Sequence, residues 1–134
     1  MQDKTFNKHL VYIADEAGMA SVFPELKHEL TETSSTAITI LYQSVNDHFA
    51  FTKELNILER YFPGKLYISY ESEAMSGNNI SCQRTIEAII NTNIIPETSF
   101  IVSGQTEFIE QVKTVLQFLG INTVTVHEQF FTDL

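Results

Sequence analysis

The sequence predicts an α/β fold: one three-layer domain with a five-stranded parallel sheet, order 3-2-1-4-5, and helices on both faces. Three observations lead there. Short apolar runs alternate with segments whose apolar residues recur at helical spacing, the β-α pattern of parallel sheets. The runs are continuously apolar rather than alternating, as in strands buried on both faces. A length of 134 residues suits one domain, since domains commonly run to about 100–150 residues and bury roughly 70% of the surface exposed on unfolding.

Leu10-Val11-Tyr12-Ile13-Ala14 is the first strand. Met19, Val22, Phe23, Leu26 and Leu30 then share one helical face, and Pro24 places the start of that helix near Ser21 to Phe23, so that proline falls in the first turn. Ala37 to Tyr42 is the second strand, and Asn46-Asp47 offers an N-cap for a helix carrying Phe49, Phe51, Leu55 and Leu58 and ended by Pro63-Gly64. Leu66 to Tyr70 is the third strand, and polar Ser72 to Asn79 with Gly77 is a loop. A helix from about Cys82 to Asn91 carries Ile86, Ile89 and Ile90. Phe100-Ile101-Val102 is the fourth strand. Thr106 is the expected cap of a helix bearing Phe108, Ile109, Val112, Val115, Leu116 and Leu119, with Gly120 at its C′ position. Ile121 to Val126 is the fifth strand, followed by a tail from His127 to Leu134.

The charge balance narrows the function classes. Seventeen acidic side chains against 8 basic ones give a formal net charge of −9, which disfavours nucleic acid and anionic membranes as partners because both are polyanions. Hydrophobic residues at 43% and charged residues at 19% fit a globular chain. Four histidines, none at ligand spacing, and the single Cys82 offer little for a metal centre or an internal disulfide. With no signal-peptide pattern and no apolar run long enough to span a bilayer, a cytoplasmic address is expected.

An open parallel sheet binds ligands at the carboxyl ends of its strands, where the strand order reverses. Here that point lies between strands one and four, at the loops Ala14 to Ser21 and Ser103 to Thr106, flanked by Gln43-Ser44 and Tyr70-Glu71. A loop that cradles phosphate needs glycines, so that backbone N–H groups can reach the anion at a helix N-terminus. In Ala14-Asp15-Glu16-Ala17-Gly18 only Gly18 is a glycine, and Asp15-Glu16 stands where the others are expected. A carboxylate about 4 Å from a phosphate charge costs on the order of 4 kcal/mol at an effective dielectric of 20. The alternative for both acids is to complement the positive end of the helix dipole with their charges in solvent. Ser103 as a nucleophile needs a histidine base, and none is near in sequence; turn and capping roles are favoured for Ser103 and Thr106.

These loops carry a resemblance. Ala14 to Val22 after a strand, then Val102-Ser103-Gly104-Gln105 before Phe108-Ile109-Glu110-Gln111-Val112, Leu116 and Gly120, resemble the nucleotide-binding half of ferredoxin–NADP reductase-like flavoenzymes. In that superfamily the first loop commonly reads Gly-Gly-Thr-Gly-Ile-Thr-Pro and the late motif reads Cys-Gly-Pro. Leu41-Tyr42 through Asp47, Phe49 and Glu54-Leu55 are similar to its second strand and helix, and Val126-His127-Glu128-Gln129-Phe130 to its closing segment. The first loop is more similar to siderophore-interacting ferric reductases, which typically read Gly-Asp-Glu-Thr-Ala-Leu-Pro-Ala-Ile there and retain nicotinamide-dependent activity with the acidic pair in place. The chain departs from both patterns. Asp15 and Glu16 replace two glycines of the common loop, Ser103 its cysteine and Gln105 its proline, while the threonine and proline of the siderophore branch are missing.

The resemblance implies that residues 1–134 form a single NAD(P)-binding domain whose flavin-binding β-barrel lies on a missing or separate domain. It implies a flavin-dependent reductase of ferric-siderophore, ferredoxin or flavodoxin type, in which this domain binds NADH and FAD is reached only through the other domain. NADPH is disfavoured, because Ser69-Tyr70-Glu71 lacks the arginine that takes a 2′-phosphate. The residues it implicates in cofactor binding are Ala14, Asp15, Glu16, Ala17, Gly18, Ser44, Tyr70, Gly104, Gln105, Thr106 and Phe130, with Ser103 and Glu128 nearest the chemistry. Tyr70 is the candidate for stacking on adenine, whereas Tyr67 is expected in the core. Phe130-Phe131 on a polar tail suggests a partner surface, either a flavin domain or a second copy. The competing reading is a non-catalytic module of the same fold that binds, regulates or oligomerises. A receiver-like signalling domain also meets the strand pattern, but no aspartate ends strand three to accept a phosphoryl group.

Overall fold

A computed structural model describes residues 7–32, 35–44, 48–72, 80–92, 97–121 and 125–127. The chain alternates β1 (Lys8–Ala14), α1 (Glu16–Glu32), β2 (Thr36–Ser44), α2 (Thr52–Tyr61), β3 (Leu66–Ser72), α3 (Ile80–Thr92), β4 (Glu97–Ser103), α4 (Thr106–Phe118) and β5 (Thr125–His127). All strand pairings are parallel and the order is β3-β2-β1-β4-β5, as the sequence predicts. β1 sits at the centre, with Ala14 in register with Tyr42 on one side and Ser103 on the other.

The two-residue period of the strands sorts the apolar side chains into two cores. Leu10, Tyr12, Ile38, Ile40, Tyr42, Leu66 and Ile68 pack under α1 and α2, against Met19, Val22, Leu26, Leu30 and Leu55. Val11, Ile13, Leu41, Phe100 and Val102 pack under α3 and α4, against Ile86, Phe108, Val112, Val115 and Leu116. β1 and β2 are apolar on both faces for this reason.

The three helix starts whose caps are described, those of α1, α2 and α4, depart from the expected ones. α1 begins at Glu16 rather than near Ser21, because Asp15 caps it: its carbonyl accepts the Met19 N–H at 2.8 Å and its Oδ1 accepts the Gly18 N–H at 2.8 Å. Pro24 is therefore inside the helix. It lies with Ala20 on the exposed side, so the Ala20 carbonyl that proline leaves without a helical donor is open to solvent. At the other end, Lys65 Nζ donates to the Leu30 carbonyl at 2.8 Å and serves a helix whose last turn has no basic residue.

α2 opens at Thr52 instead of directly behind Asn46-Asp47, which lie outside the described residues. Phe51 occupies the N-cap position and makes no side-chain cap bond. The N–H groups leading into the helix go to distant partners: Ala50 donates to Glu16 Oε2 at 2.9 Å and Phe51 to the Tyr42 hydroxyl at 3.2 Å. In α4 the cap is Gln105, and the expected cap Thr106 is the first helical residue.

The end of α4 follows the expected pattern. Gly120, at φ +89°, occupies C′; its N–H reaches the Gln117 carbonyl at 3.0 Å and the Ile121 N–H reaches Leu116 at 2.8 Å. That closure draws Ile121 into the helix terminus, and β5 is described at Thr125–His127; of the strand expected from Ile121 to Val126, residues 122–124 lie outside the described residues. Tyr67 also differs from expectation. It is 63% exposed, because β3 is an edge strand with a neighbour on one side only.

Candidate functional site

The site expected at the sheet's reversal point assembles around the ends of β1 and β4. Ala14 and Ser103 are a register pair and both are buried. Gly18 brings the two loops into contact. A Cβ on Gly18 would lie 2.0 Å from the Ser103 carbonyl oxygen and 2.9 Å from the Gly104 nitrogen, so only glycine lets α1 seat against that peptide. Gly104 has φ +153°, and a Cβ there would lie 2.5 Å from Asp15 Oδ1 and 2.7 Å from Phe108. Its bare α-carbon is the floor on which the Asp15 carboxylate rests.

Both acids of the first loop are partly exposed and act as acceptors: Asp15 serves the positive end of α1, as the helix-dipole alternative has it, and both acids also bond groups of other elements. Asp15 Oδ1 takes the Gly18 N–H, and Oδ2 takes the Gln105 N–H at 3.1 Å. One carboxylate thus joins the start of α1 to the start of α4. Glu16 works in the opposite direction: Oε1 accepts from the Tyr42 hydroxyl at 2.8 Å and Oε2 from Ala50 N–H. The pair ties the end of β1 to the loops on both flanks.

The Glu16 contacts hold residues 48–51 over the end of β2. Ser44 is buried and its hydroxyl accepts the His48 N–H at 3.1 Å. Phe49 packs edge-on against Tyr42 with centroids 5.0 Å apart, and against Tyr70 at 5.1 Å. Tyr70 also leans on Tyr42 at 5.8 Å and remains 38% exposed. Burial first, and then the Glu16 carboxylate, push the Tyr42 hydroxyl well above its ordinary pKa, although the Phe51 N–H bond opposes this. Tyr70 shifts in the same direction through burial and the Glu59 charge, against an opposing bond from Thr52. Both phenols are therefore neutral, and Tyr42 is a donor to Glu16 at physiological pH.

On the other face of β3, Glu71 is buried and accepts hydroxyl bonds from Ser69 at 2.5 Å and Thr85 at 2.9 Å. Among the described residues, no group of three or more His, Cys, Asp or Glu side chains is placed to hold a metal ion, and no helix is long and apolar enough to cross a membrane.

Of the residues singled out in the sequence, Ala14, Asp15, Gly18, Ser103, Gly104 and Gln105 converge. Ala17 lies in the first turn of α1 and Thr106 in that of α4, where it is exposed. Ser44 and Tyr70 stand on the flank beyond Glu16. Glu128, Phe130 and Phe131 lie outside the described residues. The register sets the backbone of His127 beside Ser103, a proximity that sequence distance conceals. Sequence reading missed the Tyr42–Glu16–Ala50 tie, since Tyr42 reads there as one more apolar strand residue.

No family model matches this chain, and no curated protein does. Solved structures do share its fold, each at 17% identity. The CS-b5R domains of human Ncb5or in the NAD+ form superpose with a TM-score of 0.69 over 90% of this chain and 36% of that one. A mutant ferredoxin-NADP+ reductase from Plasmodium falciparum in complex with 2′P-AMP gives 0.62 over 92% and 52%. Flavohemoglobin from Malassezia yamatoensis, with bound FAD and heme, gives 0.68 over 96% and 33%. The chain spans roughly a third to a half of the length of each of these proteins, and what it shares with them is the fold.

Proposed function

We propose that this chain is the nicotinamide-nucleotide-binding half of a flavin-dependent reductase and takes NADH at the β1/β4 crevice. The observation that carries the reading is the crevice itself. Gly18 and Gly104, each where a side chain would clash, bring the starts of α1 and α4 together at the sheet's reversal point, where open parallel sheets hold nucleotides. Two of the proteins that share the fold are described as an NAD+ form and a 2′P-AMP complex, which supports a nucleotide ligand.

The nucleoside end has a fitting surface. Tyr70, propped by Tyr42 and Phe49, offers an aromatic edge at the ends of β2 and β3. Ser69-Tyr70-Glu71 offers no arginine for a 2′-phosphate, which favours NADH over NADPH. At the diphosphate the fit is poorer, because Asp15 already holds the Gln105 N–H. NADH supplies a hydride to a flavin carried on a separate domain. The residues of this chain bind and orient, with Ser103 and Gly104 toward the nicotinamide; for Glu128 and Phe130 the family resemblance alone suggests a role at the flavin. The acceptor is a ferric siderophore, a ferredoxin or a flavodoxin. Fluorescence titration with NADH and with NADPH tests the reading: saturable binding that favours NADH is expected. No saturation at millimolar NADH, with a flavin domain present, would overturn it.

The engagement of both carboxylates favours a second reading, a module that keeps the fold without the cofactor and acts through a partner or a second copy. Light scattering separates the two: a monomer that binds NADH tightly excludes the module.

A further inference from the structure

The geometry points to Asp15 as a built-in anion that occupies the phosphate position of this crevice and sets which ligands the crevice accepts. The inference rests on the reading above only in placing a nucleotide here. A phosphate held between the two loops would draw on backbone N–H groups at the start of α1 and at the start of α4. The Asp15 carboxylate uses one from each, Gly18 and Gln105, through its two separate oxygens. It also fills the volume: the spot 2.5 Å from Oδ1 where a Gly104 Cβ would stand shows that the carboxylate lies directly on that backbone.

The carboxylate does more than cap a helix. An N-cap needs one oxygen on a donor of its own helix, which the Gly18 bond provides. The second oxygen reaches across to residue 105 and adds nothing to the capping of α1. Its effect is to cancel the positive field where the two helix starts meet, with a charge of the same sign as a phosphate. Glu16, held alongside by Tyr42 and Ala50, adds a second negative charge at the same loop. In the native chain the diphosphate of a dinucleotide therefore contributes little to binding, and the nucleoside end carries the affinity. Replacing Asp15 frees the Gln105 N–H and removes the repulsion.

Calorimetric titration of the chain with adenosine, ADP and inorganic pyrophosphate tests this in the native protein and in the variants Asp15→Ser and Asp15→Asn. Serine keeps the helix cap and is too short to bridge to Gln105; asparagine keeps the shape and removes the charge. ADP is expected to bind the native protein no more tightly than adenosine, and to bind both variants at least about ten-fold more tightly than the native protein, since a like charge at about 4 Å is removed. Adenosine affinity should be unchanged, and circular dichroism reports whether each variant folds. Native protein that binds ADP or pyrophosphate ten-fold more tightly than adenosine overturns the inference, as do folded variants with no gain for ADP. If the native chain fails to bind NADH while the variants gain ADP binding, the NADH reading falls and the role of Asp15 stands.

Discussion

The Tyr42 hydroxyl donates to Glu16 Oε1 at 2.8 Å and accepts the Phe51 N–H at 3.2 Å, so one phenol closes the gap between the start of α1 and the start of α2. Replacing it with phenylalanine keeps the ring contact with Phe49 but leaves a half-buried carboxylate oxygen and a backbone N–H without that partner. Tyr42→Phe is expected to lower the unfolding free energy by about 1–3 kcal/mol, measured by urea denaturation.

The same phenol makes stability sensitive to alkali. In the folded protein Tyr42 is held above its ordinary pKa of 10.0 by burial and Glu16, and Tyr12 likewise by burial and Glu25. In the unfolded chain both deprotonate near pH 10, so above that pH the unfolded state binds fewer protons and is favoured. The stability these groups provide is complete below about pH 10 and is lost as pH rises beyond it, at up to about 1.4 kcal/mol per pH unit for each tyrosine. Denaturation midpoints between pH 9 and 11 should show a shallower decline in Tyr42→Phe than in the native protein.

Gly18 is expected to tolerate no side chain. With a Cβ 2.0 Å from the Ser103 carbonyl oxygen, Gly18→Ala must push α1 away from β4, and the strain is expected to cost about 3 kcal/mol. Thermal unfolding checks this. Gly64→Ala, whose Cβ would meet nothing within 4 Å but whose φ is +80°, should cost only about 1–2 kcal/mol.

Leu55 anchors α2. It is the only buried residue of that helix, at 0% exposure, while Leu58 and Phe51 pack partly buried beside it. Leu55→Ala is expected to destabilise by about 2–4 kcal/mol. Hydrogen exchange should show the amides of α2 losing protection before those of β1.

Tyr70 tests the nucleoside end of the proposed site. Removing a stacking aromatic costs about 1–3 kcal/mol per base, so Tyr70→Ala should weaken NADH and adenosine binding by at least about five-fold. Equal affinities for the native and variant proteins would move the adenine elsewhere.

Strand identity was legible in the sequence because apolar periodicity is local, while the parallel β-α alternation pointed to the sheet order and so to its reversal point between β1 and β4. The closure of α4 at Gly120 was legible for a similar reason, since the glycine sits beside the helix it ends. Most of what escaped depended on long-range pairing. The start of α1 was displaced toward Ser21 because Pro24 is a strong local signal that outweighed an equally local one, the Asp15 cap three residues ahead of Gly18; only the exposure of Ala20 and Pro24 needed the fold. Asn46-Asp47 is a good local cap, but the N–H groups ahead of α2 are taken by Glu16 and Tyr42 from other elements. Tyr67 reads as core because its neighbours are apolar, although the predicted order already places its strand at an edge of the sheet, where it is exposed. At the site, the residue types were visible, while the bonds of Asp15 to Gln105 and of Glu16 to Tyr42 and Ala50 were not.

The two cores divide the chain in time as well as in space. Nearly all of the α1/α2 core comes from the chain up to Ile68, with Ile101 the exception, whereas the α3/α4 core needs β4 and α4 against Val11 and Ile13. During synthesis from the N-terminus, β1, β2 and β3 with their helices can close one face before β4 exists, while the other side of β1 waits for Glu97 to pair with Lys8. Pairings this distant in sequence are slow to form, so the Asp15–Gln105 bond belongs to the last part of the molecule to assemble. Until then the central strand has an open edge, and the crevice is completed only when the fold is.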